Sequence, residues 1–205
     1  MKINEIHRQI RTLAKEHQRG SITPVQIDDA LNMAQLDLLN DRLKVEGLSL
    51  NGRIDESLRF LLTPLAEHSV DEGVIDLPPD FEALNLLFNL NGSVRLVTSE
   101  KVSNLRNSAL APPSEESLVA TVMNNQVWVW PKSVKSVEMS YLRSPKRPKW
   151  AYRVADNQRD YEHLPDASQD LEWGDVDQKV IMMKALALLA IPISDSFTFQ
   201  AANAK

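Results

Sequence analysis

Residues 118–142 have the sequence LVATVMNNQVWVWPKSVKSVEMSYL, and this stretch decides the predicted fold of the middle of the chain. Its runs at 118–123, 127–130 and 137–142 are rich in β-branched and aromatic residues, which favour strands. Asn124-Asn125 separates the first two runs, and asparagine suits a tight turn between paired strands. The stretch therefore predicts three consecutive antiparallel strands.

The second of these runs has two different faces. Valines alternate with tryptophans along it, so an aliphatic face lies opposite an aromatic one. Both faces are therefore expected to be covered. We expect the large aromatic residues here, and the proline that ends the strand, to be structural anchors and not ligand contacts. These residues are Trp128, Trp130, Pro131 and Tyr141.

Further strand signals precede this stretch. Residues 73–77 predict a strand that ends at Pro78-Pro79, because proline cannot donate a hydrogen bond to a sheet. The apolar run at 83–90 ends at Asn91-Gly92, which is typical of a hairpin turn, and residues 94–97 are its expected partner strand. The middle of the chain is therefore predicted to be rich in short strands.

The N-terminal part of the chain has helical periodicity. Isoleucines at positions 3, 6 and 10 lie on one stripe of a first helix, which Gly20 is expected to end. Thr23-Pro24 followed by Gln26 has the residues of a capping box with proline at the first helical position. A second helix therefore begins there, and Gly47 and Asn51-Gly52 are expected to end it.

Two more helices are expected outside the β-rich middle. A short third helix is predicted to begin at Asp55. Residues 176–191 predict a C-terminal helix, which Pro192 ends, followed by a tail from Ser194 that a partner would order. Because this helix is apolar on nearly all sides, we expect it to be buried, either in the core of the chain or against another subunit.

These signals together predict an α+β fold, in which N- and C-terminal helices form a helical bundle with an inserted small antiparallel β unit. We expect an N-terminal helical region at 1–66 and a β-rich insertion at 67–150. An acidic loop, the C-terminal helix and a tail are expected at 151–205, with the helix returning to the bundle.

The composition excludes several classes of protein. The chain has 205 residues, a formal net charge of −5 and no cysteine, which excludes disulfide frameworks, cysteine nucleophiles and cysteine-based metal sites. The acidic balance argues against a protein that coats nucleic acid. We expect no secretory signal and no membrane association, because the longest uncharged apolar run, 185–193, has about half the length of a membrane span.

The sequence lacks the usual motifs of catalysis and cofactor binding. Its six glycines are isolated, so neither a dinucleotide-binding loop nor a P-loop occurs, and there is no Gly-x-Ser-x-Gly elbow. We therefore expect no enzyme activity, no cofactor and no metal. The acidic surroundings of His163 leave a small metal-dependent hydrolase as an alternative. We favour a solvated acidic loop in which Asp175 or Asp177 caps the last helix.

A basic segment at 143–153 precedes an acidic stretch at 156–177. Its cations interleave with Trp150 and Tyr152, a pattern that can bind phosphates and stack bases. We favour a charge-complementary contact between neighbouring subunits instead, because the nearby acids would repel phosphate. The residues expected at this partner contact are Arg143, Lys146, Arg147, Lys149, Trp150, Arg153, Glu172 and Trp173.

Four motifs occur in an order that is typical of one protein family. They are Ile-Asp-Leu-Pro-Pro-Asp-Phe at 75–81, Trp130-Pro131 at a strand end, Tyr-Leu-Arg-Ser-Pro at 141–145, and Glu172-Trp173 before the last helix. Together with the two N-terminal helices, this arrangement resembles the head-to-tail connector proteins of tailed bacteriophages, the portal adaptor or tail tubular class.

The resemblance implies a structural virion protein that is made in the cytoplasm of a bacterial host. Such a protein forms a homo-oligomeric ring beneath the portal, a dodecamer by resemblance, and contacts the portal protein and other tail or connector proteins. Its helices would line or flank a channel through which DNA passes without specific binding. Another phage head-completion or tail ring protein is the alternative within the virion.

Overall fold

The computed structural model describes residues 1–16, 22–45, 56–89, 92–108, 112–154 and 161–191. The chain divides into two compact units. The helical unit comprises Met1–Val45 and Pro145–Lys205, and the β unit comprises Glu46–Ser144. Several sequence expectations lie outside the described residues: Gly20, Gly47, Asn51-Gly52, Asp55, the loop at 156–160, Pro192 and the tail from Ser194.

Three long helices form the helical unit, and a fourth helix lies in the β unit. They are α1 (Ile3–Glu16), α2 (Pro24–Val45), α3 (Ser99–Arg106) and α4 (Asp175–Leu188). The isoleucine stripe of α1 is fully buried, as its spacing predicted. Helix α2 packs along α4, and α1 contacts both. None of the described helices is both long enough and apolar enough to cross a bilayer. Two 3₁₀ helices, Glu56–Leu61 and Pro165–Ala167, complete the helical elements of the described residues.

The start of α2 confirms the predicted capping box. The backbone N–H of Gln26 donates to the Thr23 hydroxyl over 3.3 Å, and the Thr23 backbone N–H donates to the Gln26 side-chain oxygen over 2.9 Å. Each residue thereby satisfies a backbone donor that the first turn of a helix leaves open.

The end of α4 has the hydrogen bonds of a Schellman motif. The N–H of Ile191 donates to the Leu186 carbonyl, and the N–H of Ala190 donates to the Ala187 carbonyl. Ile191 and Leu186 are both buried, which supplies the usual apolar contact of this motif. Ala190 is the residue with left-handed backbone, at φ 55°, a position that normally holds glycine.

The strands form three sheets within the described residues. One sheet has the order β1-β8-β3-β4, a second has the order β2-β7-β6-β5, and β9 pairs with β10 in the helical unit. All pairings are antiparallel except that of β5 with β6. The strands are β1 (Ala66–Ser69), β2 (Val74–Asp76), β3 (Phe81–Asn89), β4 (Gly92–Ser93), β5 (Arg95–Leu96), β6 (Val119–Met123), β7 (Gln126–Trp130), β8 (Ser136–Arg143), β9 (Tyr152–Val154) and β10 (Tyr161–His163).

The two four-stranded sheets of the β unit pack face to face. Val127 and Val129 of β7 share one buried cluster with Leu87 of β3 and with Val137 and Met139 of β8. The opposite face of β7 carries the tryptophans and is covered by α3. Both faces of β7 are therefore covered, as the alternation of valine and tryptophan predicted.

Tight turns place the strands of the second sheet. Asn124 and Asn125 have φ values of 51° and 61°, and Glu72 and Gly73 have values of 48° and 84°. Two successive left-handed residues match the right-handed twist of a hairpin. The first pair joins β6 to β7, as predicted. At Gly73 an added Cβ would lie 2.8 Å from the Val129 carbonyl oxygen, so glycine is required there for space as well.

The predicted helical bundle with a small β insertion is wrong. The β unit takes up about half of the chain and contains two packed sheets, and a further strand pair lies in the helical unit. Strand β7 explains why the β unit is larger than predicted. Both of its faces are apolar, and a single small sheet cannot cover both of them. The predicted hairpin of 83–90 with 94–97 forms only at Gly92–Ser93, since β5 leaves it to pair in parallel with β6.

Replacing Ala190 by glycine is expected to stabilise the protein by up to about 1 kcal/mol, because glycine adopts a left-handed backbone without a Cβ clash. Denaturant unfolding measures the change. Ala187→Gly, inside the same helix, is the matched control and is expected to destabilise by about 1 kcal/mol. Equal losses for both variants would contradict the helix end described above.

Truncating Trp130 is expected to destabilise the β unit by about 3–5 kcal/mol, because its side chain is 7% exposed and packs beneath α3. Trp128 is half-buried and stacks on Trp130 at a ring distance of 6.3 Å, so Trp128→Ala is expected to cost less. Thermal and urea unfolding of both variants measure these costs. An unchanged melting temperature for Trp130→Ala would show that the aromatic face is not part of the core.

Candidate functional site

The residues predicted to form a partner contact are divided between the two units. Arg143 lies at the end of β8, in the β unit. The four predicted anchors lie in the same unit. The other members lie in the helical unit: Lys146, Arg147, Lys149, Trp150, Arg153, Glu172 and Trp173.

Tyr141 is held within the β unit by several contacts. Its hydroxyl donates to Asp80 over 3.2 Å, and its ring packs on Phe81 at 5.6 Å. Burial, with the nearby Asp80 carboxylate, raises the pKa of the Tyr141 hydroxyl. The neighbouring Arg143 is half-buried and donates to the Ser144 carbonyl. These contacts suit the predicted anchoring role of Tyr141, which stays a prediction.

Residues 145–154, which we call the basic strap, are tied to α2. The Trp150 backbone N–H donates to both carboxylate oxygens of Asp28, over 3.1 and 3.2 Å. The fully buried Gln35 donates to the Lys146 carbonyl over 3.1 Å. Gln35 also accepts a hydrogen bond from the Trp173 indole, over 3.3 Å. The strap is therefore fixed by buried polar groups that the sequence analysis missed.

The other edge of the basic strap pairs with residues 161–172. Lys149 and Gln169 exchange two backbone hydrogen bonds, and the Ala151 N–H donates to the Ser168 hydroxyl over 3.0 Å. The strand pair β9–β10 continues this contact. The strap thus lies between α2 and the chain that leads into α4.

Most charges of the basic strap already have acidic partners in the same chain. Arg147 pairs with Asp29, Lys146 with Glu172 and Arg153 with Glu162. These pairs are largely exposed, so each contributes little to stability. Lys149 is exposed, and its ammonium has no ion pair among the described residues. A contact of this surface with another subunit stays a prediction.

Trp150 lies at the centre of an aromatic cluster. It is 4% exposed and stacks with His7 at 5.0 Å, Tyr152 at 5.4 Å and His163 at 5.7 Å. Its indole N–H donates to Asn4 over 3.0 Å. Because its ring is packed inside the chain, Trp150 offers no open face on which a nucleic-acid base could stack.

His7 is the buried titratable group of this cluster. It is 1% exposed, and its Nε2 lies 2.8 Å from Asp28, the carboxylate that also binds the strap. Burial lowers the pKa of His7 more strongly than the Asp28 carboxylate raises it. The neutral imidazole therefore carries its proton on Nε2, which donates to Asp28, and its Nδ1 has no hydrogen-bond partner.

A cleft of about 300 Å³ opens between α1 and the aromatic cluster. Three cations of α1 line it, Arg8, Arg11 and Lys15, and no carboxylate among the described residues does. The Arg11 guanidinium lies 4.2 Å from the centre of the Trp150 ring, and burial lowers the pKa of Arg11. The spacing of 3 and 4 residues between these cations could have revealed a basic stripe in the sequence. Asn4, His7, Thr12, Trp150, Tyr161 and His163 complete the lining.

The surroundings of His163 differ from those expected of a hydrolase. Its ring stacks parallel to Trp150, and its Nε2 lies 3.0 Å from the Ser168 hydroxyl. In the described part of the chain, no group of three or more histidine, aspartate or glutamate side chains is placed to hold a metal ion. The favoured interpretation is wrong about the cap: Gly174 is the N-cap residue of α4, and Asp175 and Asp177 lie in the first turn.

A family model described as SU10 adaptor protein matches residues 1–187, which include both units and nearly all of α4. No curated protein matches the chain.

The low pKa of His7 predicts a pH dependence of stability. The unfolded chain takes up this proton near the ordinary pKa of 6.5, whereas the folded protein takes it up only at lower pH. The unfolding free energy is therefore expected to fall as the pH drops below 6.5, by at most about 1.4 kcal/mol per pH unit. Urea unfolding between pH 7.5 and 5.5 measures this slope.

The matched variant for this prediction is His7→Gln, which is expected to flatten the slope relative to the unchanged protein. His68→Gln, on β1 of the other unit, controls for the loss of one histidine. Identical slopes for the His7→Gln variant and the unchanged protein would show that His7 does not titrate as its burial requires.

Proposed function

The chain belongs to the SU10 adaptor protein family, a family of bacteriophage head-to-tail adaptors, and from this premise we propose that it forms a ring beneath the portal. The observation that carries the proposal is the extent of the family match, which spans residues 1–187. The resemblance to head-to-tail connectors supports a dodecamer. The protein is accordingly a structural component of the virion.

Exposed apolar side chains support contacts between subunits. Val25, Met33 and Leu36 are exposed on one side of α2, and Val176 on α4 is 76% exposed. Isolated apolar residues are common on protein surfaces, but three on one helix stripe can form a packed contact. A ring contact would bury this stripe together with the exposed part of α4.

The charge of the protein suits a channel through which DNA moves. A chain of net charge −5 gives a ring that repels the duplex weakly. The salt-dependent phosphate contacts of a basic wall would hold the duplex instead. We therefore propose that translocating DNA passes the ring without specific binding.

Reconstitution with the portal protein tests this function. The purified chain is mixed with portal rings, and the products are analysed by size-exclusion chromatography with light scattering and by negative-stain electron microscopy. We expect a ring of adaptor copies on the portal. Binding to completed tails but not to the portal would contradict this position and would favour a tail ring protein.

Reversing charges on the basic strap is expected to weaken this assembly. Exposed ion pairs are each worth only about 0–1 kcal/mol, so the apolar surface must supply most of the affinity while charges set the direction of the contact. The variant Arg147→Glu with Lys149→Glu is therefore expected to remain folded but to be incorporated poorly. Arg143 is left unchanged because it is half-buried in the β unit.

The control carries the same change in charge elsewhere. Lys132→Glu with Lys135→Glu alters two exposed residues of the β unit. Circular dichroism checks that both variants fold, and the portal assay measures incorporation. Normal incorporation of the strap variant, or equal loss in the control, would show that the strap is not at the contact.

A further inference from the structure

The cleft beside α1 concentrates positive charge on a chain that is acidic overall. Arg8, Arg11 and Lys15 project from one side of the helix, and no carboxylate among the residues that the structure describes lines the cleft. The strap cations mostly pair with acids of the same chain, whereas these three have no ion pair in the described residues. The described lining of the cleft is therefore positively charged, and the nearby acid that acts on Arg11 is Asp28, which contacts His7.

Two buried polar atoms at the cleft have no partner. One is a terminal nitrogen of Arg11, and the other is Nδ1 of His7, a residue that is 1% exposed. Buried donors and acceptors are normally satisfied, and a charged donor without an acceptor is unusual. The Arg11 nitrogen is a donor, so a group that accepts hydrogen bonds and carries negative charge complements it. The unprotonated Nδ1 of His7 is an acceptor and does not point to a carboxylate.

The cleft favours a carboxylate over a nucleic acid. A basic surface for single strands needs exposed aromatic faces, but Trp150 is 4% exposed and stacks with His7, Tyr152 and His163. A volume of about 300 Å³ is at the low end for ligand sites, so side chains fit better than a large cofactor. The planar guanidinium of Arg11 matches a carboxylate with two parallel hydrogen bonds.

We propose that this cleft binds an acidic peptide segment of a neighbouring virion subunit. Arg11 takes one carboxylate inside the cleft, where its ring contacts with Trp150 and Tyr161 hold the guanidinium in place. Arg8 and Lys15, which are exposed at the rim, attract a following acidic residue. The inference rests on the proposed adaptor function, because an adaptor ring brings neighbouring subunits into contact with one another and with the portal.

Fluorescence anisotropy of a labelled hexaglutamate peptide tests the proposal on the purified full chain at low salt. We expect saturable binding that weakens as salt is added, and no binding of a labelled hexaglutamine peptide. Arg11→Gln is expected to weaken binding at least tenfold. Lys179→Gln, which removes an exposed cation of α4 outside the cleft, is the matched control and is expected to leave binding unchanged.

A second variant covers the case in which Arg11→Gln fails to fold. Arg8→Gln with Lys15→Gln changes two exposed residues and is expected to weaken binding several-fold while the circular dichroism spectrum is unchanged. Absence of hexaglutamate binding, or an equal effect of Lys179→Gln, overturns the proposal. Displacement of the peptide by equal concentrations of inorganic phosphate or of a short DNA duplex also overturns it, in favour of a small-anion or a nucleic-acid site.

This assay is independent of ring formation. Loss of peptide binding with normal assembly on the portal would overturn the acidic-peptide site alone. Peptide binding without assembly on the portal would leave the site intact and contradict the adaptor position.

Discussion

The carboxylate of Asp28 is the constraint on which the helical unit depends. It accepts the Trp150 backbone N–H and the His7 imidazole, and thereby joins α2 to both the basic strap and α1. The carboxylate is mostly buried, and so is the imidazole. A carboxylate that is mostly buried is stable only when its oxygens accept hydrogen bonds. The contacts from Trp150 and His7 therefore stabilise the Asp28 carboxylate in this position. Together with the hydrogen bond from the Trp150 indole to Asn4, this side chain holds Trp150 at the cleft.

A comparable constraint governs the β unit. Strand β7 has aliphatic side chains on one face and tryptophans on the other, and both must be removed from water. A second sheet covers the aliphatic face, and α3 covers the aromatic one. The result is a layered unit with a core of its own, which explains why the β part is as large as the helical part.

Local patterns were sufficient to predict most elements but not their partners. The capping box at Thr23 and the Asn124-Asn125 turn depend on residues within four positions of one another, and both are present. The hydrogen bonds that fix the strap join residues more than a hundred positions apart, Asp28 with Trp150 and Gln35 with Lys146. Nothing in the local pattern of a basic segment indicates such partners. The sequence therefore predicts a contact of this segment with another subunit, whereas the fold shows its many contacts within the chain.

The internal pairing of the strap changes how charge can direct assembly. Cations that already have acidic neighbours gain little from a new partner, because the old pair must be broken or shared. Cations without such neighbours keep their full attraction for an incoming carboxylate, and a partly enclosed cleft strengthens it by excluding water. Among the described residues of α1 and the strap, the second kind comprises the three α1 cations that line the cleft, together with Lys149. An acidic segment of another subunit therefore gains most from the unpaired cations of α1 and from Lys149 of the strap, while the affinity comes from apolar area.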